Sequence, residues 1–234
     1  MARLGLGLMD EDSLFFTLAE DLKTPLLRIA YKAELAEPLG TAASDIRHTA
    51  MQTLQLLDAY LLSASSQTEF ALEPVNPSAV LVDAAHELSV LARKRECSLE
   101  ISAPHHGMLA LVHRTALLNA VTALGTVFIE AQSTLAAQHK RVELATYRTA
   151  SGIAIGVFQP GARELIDAEL LSRARAHVGA AARPFAGFAS GASAQLFVAE
   201  QLLLRMKANL RAARRGDLSG LAADLQVSEQ IQLV

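Results

Sequence analysis

The sequence predicts an α+β protein with two parts, an N-terminal helical hairpin at residues 1–66 and an α/β sandwich at residues 67–234. Three observations predict it. The first part carries two long amphipathic segments, the second alternates short strands with helices, and a small polar linker, SASSQT, separates them at residues 63–68. With 234 residues, 51% of them hydrophobic, the chain is large and apolar enough to bury a core.

Two helices account for the first part. Asp12 or Ser13 can cap the first helix, in which apolar residues recur three or four positions apart over residues 14–35. Turn residues at 37–40 precede a second helix with the same spacing over residues 46–61. Such a hairpin has too little surface of its own to cover both apolar faces, so we expect a homodimer in which two hairpins form a four-helix bundle.

The second part contains predicted strands with alternating polar and apolar residues, and predicted helices with helical spacing of apolar residues. The strands are residues 70–75, 98–102, 108–112, 141–147, 152–158, 209–215 and 221–227. The helices are residues 77–95, with Asn76 as the cap, 113–138, 166–176 and 193–207. Antiparallel hairpins mixed with helices favour one sheet covered on one face by helices.

Charge, cysteine and histidine content exclude several classes of function. Lys plus Arg number 21 and Asp plus Glu 24, a net charge of -3 that gives no reason to expect a nucleic-acid or anionic-membrane partner. The lone Cys97 fits a reducing compartment, and adjacent His105 and His106 lack the second ligand pair of a zinc site. No signal peptide is recognisable, and the uncharged stretch at residues 115–129 is shorter than the roughly 20 residues of a membrane span. We expect a cytoplasmic protein without a bound metal.

Several segments resemble the core of sensor histidine kinases. FFTLAEDLKTPLLRI, residues 15–29, is similar to the phosphoacceptor helix of that family, and residues 21–26 match its pattern. Glu20 stands where the family carries its phosphoacceptor histidine. LQLLDAYLLSASS at residues 54–66 resembles the end of the second helix, and residues 70–102, which begin FALEPVNPS, resemble the entry into the ATP-binding domain. The resemblance implies a dimerisation hairpin followed by an ATPase-like α/β sandwich.

The nucleotide-binding motifs of that family are degraded in this sequence. Ala123 and Val127 fall where the resemblance implies two Asn residues, one of them a Mg²⁺ ligand, and neither side chain has an oxygen for a hard cation. Gln159 replaces an Asp that accepts a hydrogen bond from the adenine amino group. This loss is the softer one, because an amide oxygen can still accept that bond.

The glycine-rich lid that cradles the triphosphate is also reduced. Only Gly191 and Leu196 match it, while Ser193 and Gln195 carry Cβ atoms where the backbone must approach the phosphates closely. Together with Glu20, these losses imply a pseudokinase that has lost both ATP and Mg²⁺ as cofactors.

A surface for a protein partner is retained. Below the acceptor position, a set of side chains resembles the surface on which receiver domains of response regulators dock. The predicted set is Leu27, Arg28, Tyr31, Lys32, Leu35, His48 and Met51. Tyr31 fits the core of the bundle equally well. The leading hypothesis is a catalytically degenerate regulator of phosphorelay signalling that binds a response regulator receiver domain or a histidine kinase.

Two alternatives involve chemistry. Asp21 and Thr24 stand three residues apart on one helix face, and the resemblance implies that such a pair can position water for attack on a regulator's aspartyl phosphate. The chain would then be a phosphatase, although a solvated face with a kink at Pro25 explains the same residues without chemistry. An ATP-independent phosphotransfer protein would need an unconventional acceptor such as His48, which has no acid-x-x-Thr context around it.

Overall fold

The computed structural model of the chain describes residues 11–36, 41–64, 70–103, 108–132, 140–150, 152–160 and 192–228. The chain divides into two compact units, Met1–Ser66 and Gln67–Val234, called here the hairpin unit and the sheet unit. The predicted helix at residues 166–176 lies outside the described residues. Within the described ranges, no helix combines the length and the apolar character that crossing a membrane requires.

The hairpin unit consists of α1, Glu11–Ala36, and α2, Thr41–Ala64, which pack on each other. The buried apolar residues of this contact are Ala30, Ala33, Ala50, Leu54 and Leu61. Alanines on both helices allow the two backbones to approach closely. An ion pair between Lys23 Nζ and Asp58 Oδ1, 2.7 Å apart, joins the helices along one flank of the contact.

The sheet unit has the mixed α/β architecture that the sequence predicts. Its elements are β1 Glu73–Val75, α3 Pro77–Lys94, β2 Ser98–Ser102, β3 Ala110–Val112, α4 Arg114–Gln132, β4 Arg141–Thr149, β5 Gly152–Pro160, α5 Ala192–Arg205, β6 Leu210–Arg215 and β7 Leu218–Leu225. Five strands form one sheet in the order β2-β4-β5-β7-β6, and β1 pairs with β3 in a separate two-stranded sheet. The β2–β4 pair is parallel and the other pairs of the large sheet are antiparallel.

Within the described part of the sheet unit, the helices α3, α4 and α5 pack against one face of the large sheet. Asn76 starts α3 as predicted, because its side chain accepts a hydrogen bond from the Ser78 backbone N–H at 2.9 Å and Pro77 occupies the first helical position. Phe70 lies between the start of α4 and the end of α5, so these two helices run in opposite directions. Its ring stacks on His113, one residue before α4, with centroids 4.9 Å apart, and lies 5.5 Å from the guanidinium carbon of Arg205 at the end of α5.

The last hairpin differs from the prediction. The alternation of polar and apolar residues predicts strands at residues 209–215 and 221–227, but Arg215 pairs directly with Leu218, so a two-residue turn connects β6 and β7. Gly216 makes this turn possible, because it adopts a left-handed backbone with a φ of 62°. The predicted loop residues 218–220 therefore belong to β7, and the hairpin is longer and tighter than the alternation of polar and apolar residues indicates.

The second face of the large sheet carries its own apolar cluster. The buried members are Ala145, Phe158, Leu218 and Ala222, with Tyr147 and Ala213 packed against them. Phe158 lies beside two glycines of the sheet, since Cβ atoms built at Gly156 and Gly220 would be 2.9 Å and 2.8 Å from its ring. An aromatic ring lying over strand glycines covers backbone that would otherwise be exposed.

An ion-pair network crosses the same face. The buried carboxylate of Glu143 accepts hydrogen bonds from Arg141 Nη2 at 2.9 Å and from Arg215 Nη1. Arg215 Nη2 also donates to Ser102 Oγ at 2.7 Å. Ser102 and Arg215 lie on β2 and β6, the opposite edges of the sheet, which would be about 19 Å apart if the sheet were flat. The sheet is therefore strongly coiled about this face.

The thiol of Cys97, directly after α3, is expected to be inert. Burial raises its pKa to about 11, although Lys140 and a backbone hydrogen bond with Val142 act in the opposite direction. At pH 8 the thiolate fraction should therefore be about 100-fold smaller than at the ordinary pKa of 9.0. We expect slow reaction with Ellman's reagent in the folded protein at pH 8, faster reaction as the pH rises towards 11, and rapid reaction in urea. Equal rates in the folded and urea-unfolded protein would contradict this expectation.

Candidate functional site

The residues predicted for phosphoryl chemistry lie on both helices of the hairpin unit. Glu20 and Asp21 belong to α1 and His48 belongs to α2, but their side chains lie outside the described part of the chain. Thr24 is described and is exposed to solvent. Helical geometry places Asp21 and Thr24 on the same side of α1, because they are three residues apart.

Most of the predicted partner surface forms one apolar stripe. Its members are Leu27, Tyr31, Leu35 and Met51, called here the outer stripe, and their exposed fractions range from 42% to 65%. The members on α1 recur every four residues, and the helical rotation turns them away from Ala30 and Ala33, which contact α2. The same rotation puts Met51 of α2 on the flank marked by the Lys23–Asp58 ion pair. Tyr31 faces outward within its own hairpin, so a partner-binding surface and the core of a bundle with a second hairpin both stay predictions for it.

Polar residues border the outer stripe. Thr24 lies three residues before Leu27 and on the same side of α1. Arg28 and Lys32 are exposed along one border, and Glu34 is exposed along the other. A partner that covers the outer stripe would therefore meet a hydroxyl group, two cations and one carboxylate at its rim.

A second apolar stripe runs along the other flank of the α1–α2 contact. It consists of Leu22, Leu26, Ile29, Ala33 and Ala36 on α1 with Ile46, Ala50 and Leu57 on α2, and is called here the seam. On α1 the members are alternately four and three residues apart, and on α2 they are four and seven residues apart. This is the heptad spacing of helices that supercoil. Leu22, Ile29 and Ile46 remain 46% to 52% exposed in the single chain.

The residues expected at the metal position of a nucleotide site lie on α4. Val127 is fully buried and Ala123 is half-buried, so neither residue offers an oxygen ligand there. Asn119, one turn before Ala123, is half-buried and has the nearest amide on this side of the helix. Among the described residues, no group of three or more His, Cys, Asp or Glu side chains is placed to hold a metal ion.

The residues expected at the base and lid positions are also enclosed. Gln159 on β5 is fully buried, and its Oε1 accepts a hydrogen bond from Gln132 Nε2 at 2.9 Å. Gln195 and Leu196, in the first turn of α5, are buried, whereas Gly191 and the Ser193 side chain lie outside the described residues. Gln132 was not predicted as a site residue from the sequence, where it is one of several polar residues on a mainly apolar helix.

Solved structures of histidine kinases are similar in fold to this chain. No protein-family model and no curated protein matches the chain. The structure of the Acinetobacter baumannii histidine kinase AdeS matches with a TM-score of 0.54 and 11% identity, covering 87% of this chain and 96% of AdeS. Full-length ShkA, solved in complex with AMPPNP, matches with a TM-score of 0.54 and 18% identity over 92% of this chain. The chain spans 46% of the length of ShkA. The mixed α/β fold of the sheet unit resembles that of histidine kinases.

Proposed function

We propose that this chain is a homodimeric, catalytically degenerate histidine-kinase-like protein that regulates two-component signalling by binding a response regulator receiver domain or a histidine kinase. The observation that carries the proposal is the presence of two apolar stripes on one hairpin, each with members that are exposed in the single chain. One symmetric partner copy covers one such stripe, so the other is available for a different protein.

The seam has the features of the dimer interface. It continues the buried contact between α1 and α2, and its alternating spacing of three and four residues matches the packing of four-helix bundles. A second copy would bury Leu22, Ile29 and Ile46, which are about half exposed in the single chain. Burial of large apolar side chains contributes roughly 1.5 to 3 kcal/mol each, and symmetry doubles the number of buried residues.

The outer stripe has the features of a surface for a different protein. It combines an exposed Tyr and two exposed Leu side chains with Arg28 at its border, and aromatic and Arg residues are enriched in binding hot spots. Its place on α1 and α2 matches the surface that the sequence resemblance assigns to receiver docking. A receiver domain is therefore the first partner to test.

The enclosed nucleotide positions support a role that does not use ATP. Val127 packs into the core, and the amide oxygen of Gln159 already accepts a bond from Gln132. A regulator without autophosphorylation would act by binding a receiver domain. Such binding would either block the access of the receiver's own kinase or hold the receiver in one conformational state.

The phosphatase alternative is favoured by one observation, the position of Thr24. Its exposed hydroxyl lies beside the outer stripe, where a docked receiver would meet it. In that case Thr24 positions water while the receiver supplies its own metal and phosphoaspartate.

The test is a binding and turnover experiment with the phosphorylated receiver domains of the source organism. Leu27→Asp or Tyr31→Ala should weaken receiver binding by at least about 30-fold, because central apolar hot spots contribute about 2 kcal/mol or more. Calorimetry measures the affinity, and release of inorganic phosphate measures turnover. Phosphate release that Thr24→Ala abolishes without weakening binding would support the phosphatase alternative.

The matched control is Val82→Asp, which puts the same charge on an equally exposed apolar site of α3. This variant should bind receivers as the wild type does. The proposal is wrong if no receiver domain or histidine kinase binds, or if the outer-stripe variants bind as tightly as the control.

A further inference from the structure

Two buried glutamines meet where the end of α4 packs against the end of β5. Gln132 is the last residue of α4, and Gln159 is the second-last residue of β5. Both are essentially inaccessible to solvent, with 1% and 0% of their surface exposed. Gln132 Nε2 donates to Gln159 Oε1 at 2.9 Å, so the two amides hold each other in place.

The pair leaves two amide atoms unsatisfied. Gln132 Oε1 and Gln159 Nε2 are enclosed, and neither has a hydrogen-bond partner among the residues that the structure describes. Exchanging the oxygen and nitrogen of both side chains leaves the same balance, one free acceptor and one free donor. Enclosed polar atoms without partners cost about 1 to 3 kcal/mol each. Replacing both glutamines with apolar side chains of equal size would therefore raise the free energy of unfolding.

We infer that this amide pair closes the base-binding end of the nucleotide site from within. The inference rests on the proposed function, in which the sheet unit works without nucleotide. Gln159 alone could still have accepted a hydrogen bond from an amino group of a base. Its side chain is fully buried and its amide is bonded to the Gln132 amide, so with either assignment of oxygen and nitrogen that acceptor is not accessible to a ligand. Gln132 thus acts as an internal plug, and restoring a metal ligand on α4 would not by itself restore nucleotide binding.

The first test compares Gln132→Met, Gln159→Met and the double variant by thermal unfolding, since Met has nearly the size of Gln without its amide. Each single change leaves one buried amide without its partner and should lower the Tm by about 5 °C. The double change removes both amides and should recover the wild-type Tm or exceed it. Two single losses that add in the double variant would overturn the inference. If a single variant does not fold, the Tm of the double variant still tests the inference. Only two amides that satisfy each other predict that the double variant regains the wild-type Tm.

The second test asks whether the pair instead serves a ligand. Wild-type protein is heated with AMP, ADP or ATP at millimolar concentration, with and without Mg²⁺, and no rise in Tm is expected. A rise that is lost in Gln159→Met would show an open base site and overturn the inference. Receiver binding is measured on the same variants and should be unchanged, because the pair lies in the sheet unit. Loss of receiver binding in the outer-stripe variants alone would leave the proposed function standing even if the plug fails.

Discussion

Ile29→Asp is expected to convert the proposed homodimer into monomers. Ile29 lies in the seam, so in the proposed dimer an aspartate there would be placed against the apolar side chains of the partner copy. Burial of an unpaired carboxylate costs several kcal/mol, and the two-fold symmetry of the interface introduces two of them. Light scattering after size exclusion should show a fall from twice the chain mass to the chain mass of 25.0 kDa.

Tyr31→Asp is the matched control for this experiment. Tyr31 is more exposed than Ile29 but lies on the outer stripe, so its aspartate variant should remain dimeric. The two variants separate the two stripes, because one loses the dimer and the other loses the partner. A dimeric Ile29→Asp protein would show that the seam is not the dimer interface.

Gly220→Ala is expected to destabilise the sheet unit by more than about 3 kcal/mol. Gly220 on β7 pairs with Phe158 on β5, and a Cβ there would overlap the carbonyl oxygen of Val157 and lie 2.8 Å from the Cα of Phe158. Both obstacles are backbone atoms, so no change of rotamer relieves them, and the two central strands must move apart. Urea unfolding followed by circular dichroism measures the loss.

Gly216→Ala controls for the general effect of removing a glycine. Gly216 has a positive φ of 62°, but a Cβ there would meet nothing within 4 Å. Its cost should be confined to the left-handed backbone, about 1 kcal/mol. A Gly220→Ala protein as stable as the Gly216→Ala protein would contradict the close approach of β5 and β7.

Local features of the fold could be predicted from the sequence. Asn76 followed by Pro77 marks the start of α3, and alternating polar and apolar residues mark β4 and β5. The order of the strands and the coiling of the sheet could not be predicted, because they depend on pairs such as Ser102 with Arg215, which are distant in the sequence. Loop closure between distant residues leaves no periodic signal in either segment.

Most residues of the candidate site could be predicted from the sequence, but their packing could not. The resemblance led to Leu27, Tyr31 and the other members of the outer stripe, but only the packing of α1 on α2 separates them from the seam. The resemblance assigned Gln159 to the base-binding position without any partner side chain. Gln132 lies 27 residues earlier, and only the meeting of α4 with β5 reveals that the two amides are bonded.

The coiling imposed by Arg215 also affects how the protein behaves at high concentration. Edge strands with free backbone groups can pair with strands of other molecules and seed fibrils. Here one guanidinium draws β2 and β6 towards the same side of the sheet, and the charged side chains of Glu100 and Arg211 lie along these edges. A bent, charged edge does not align with a flat strand from another copy, so the contact that ties the sheet together also protects the sheet unit against aggregation.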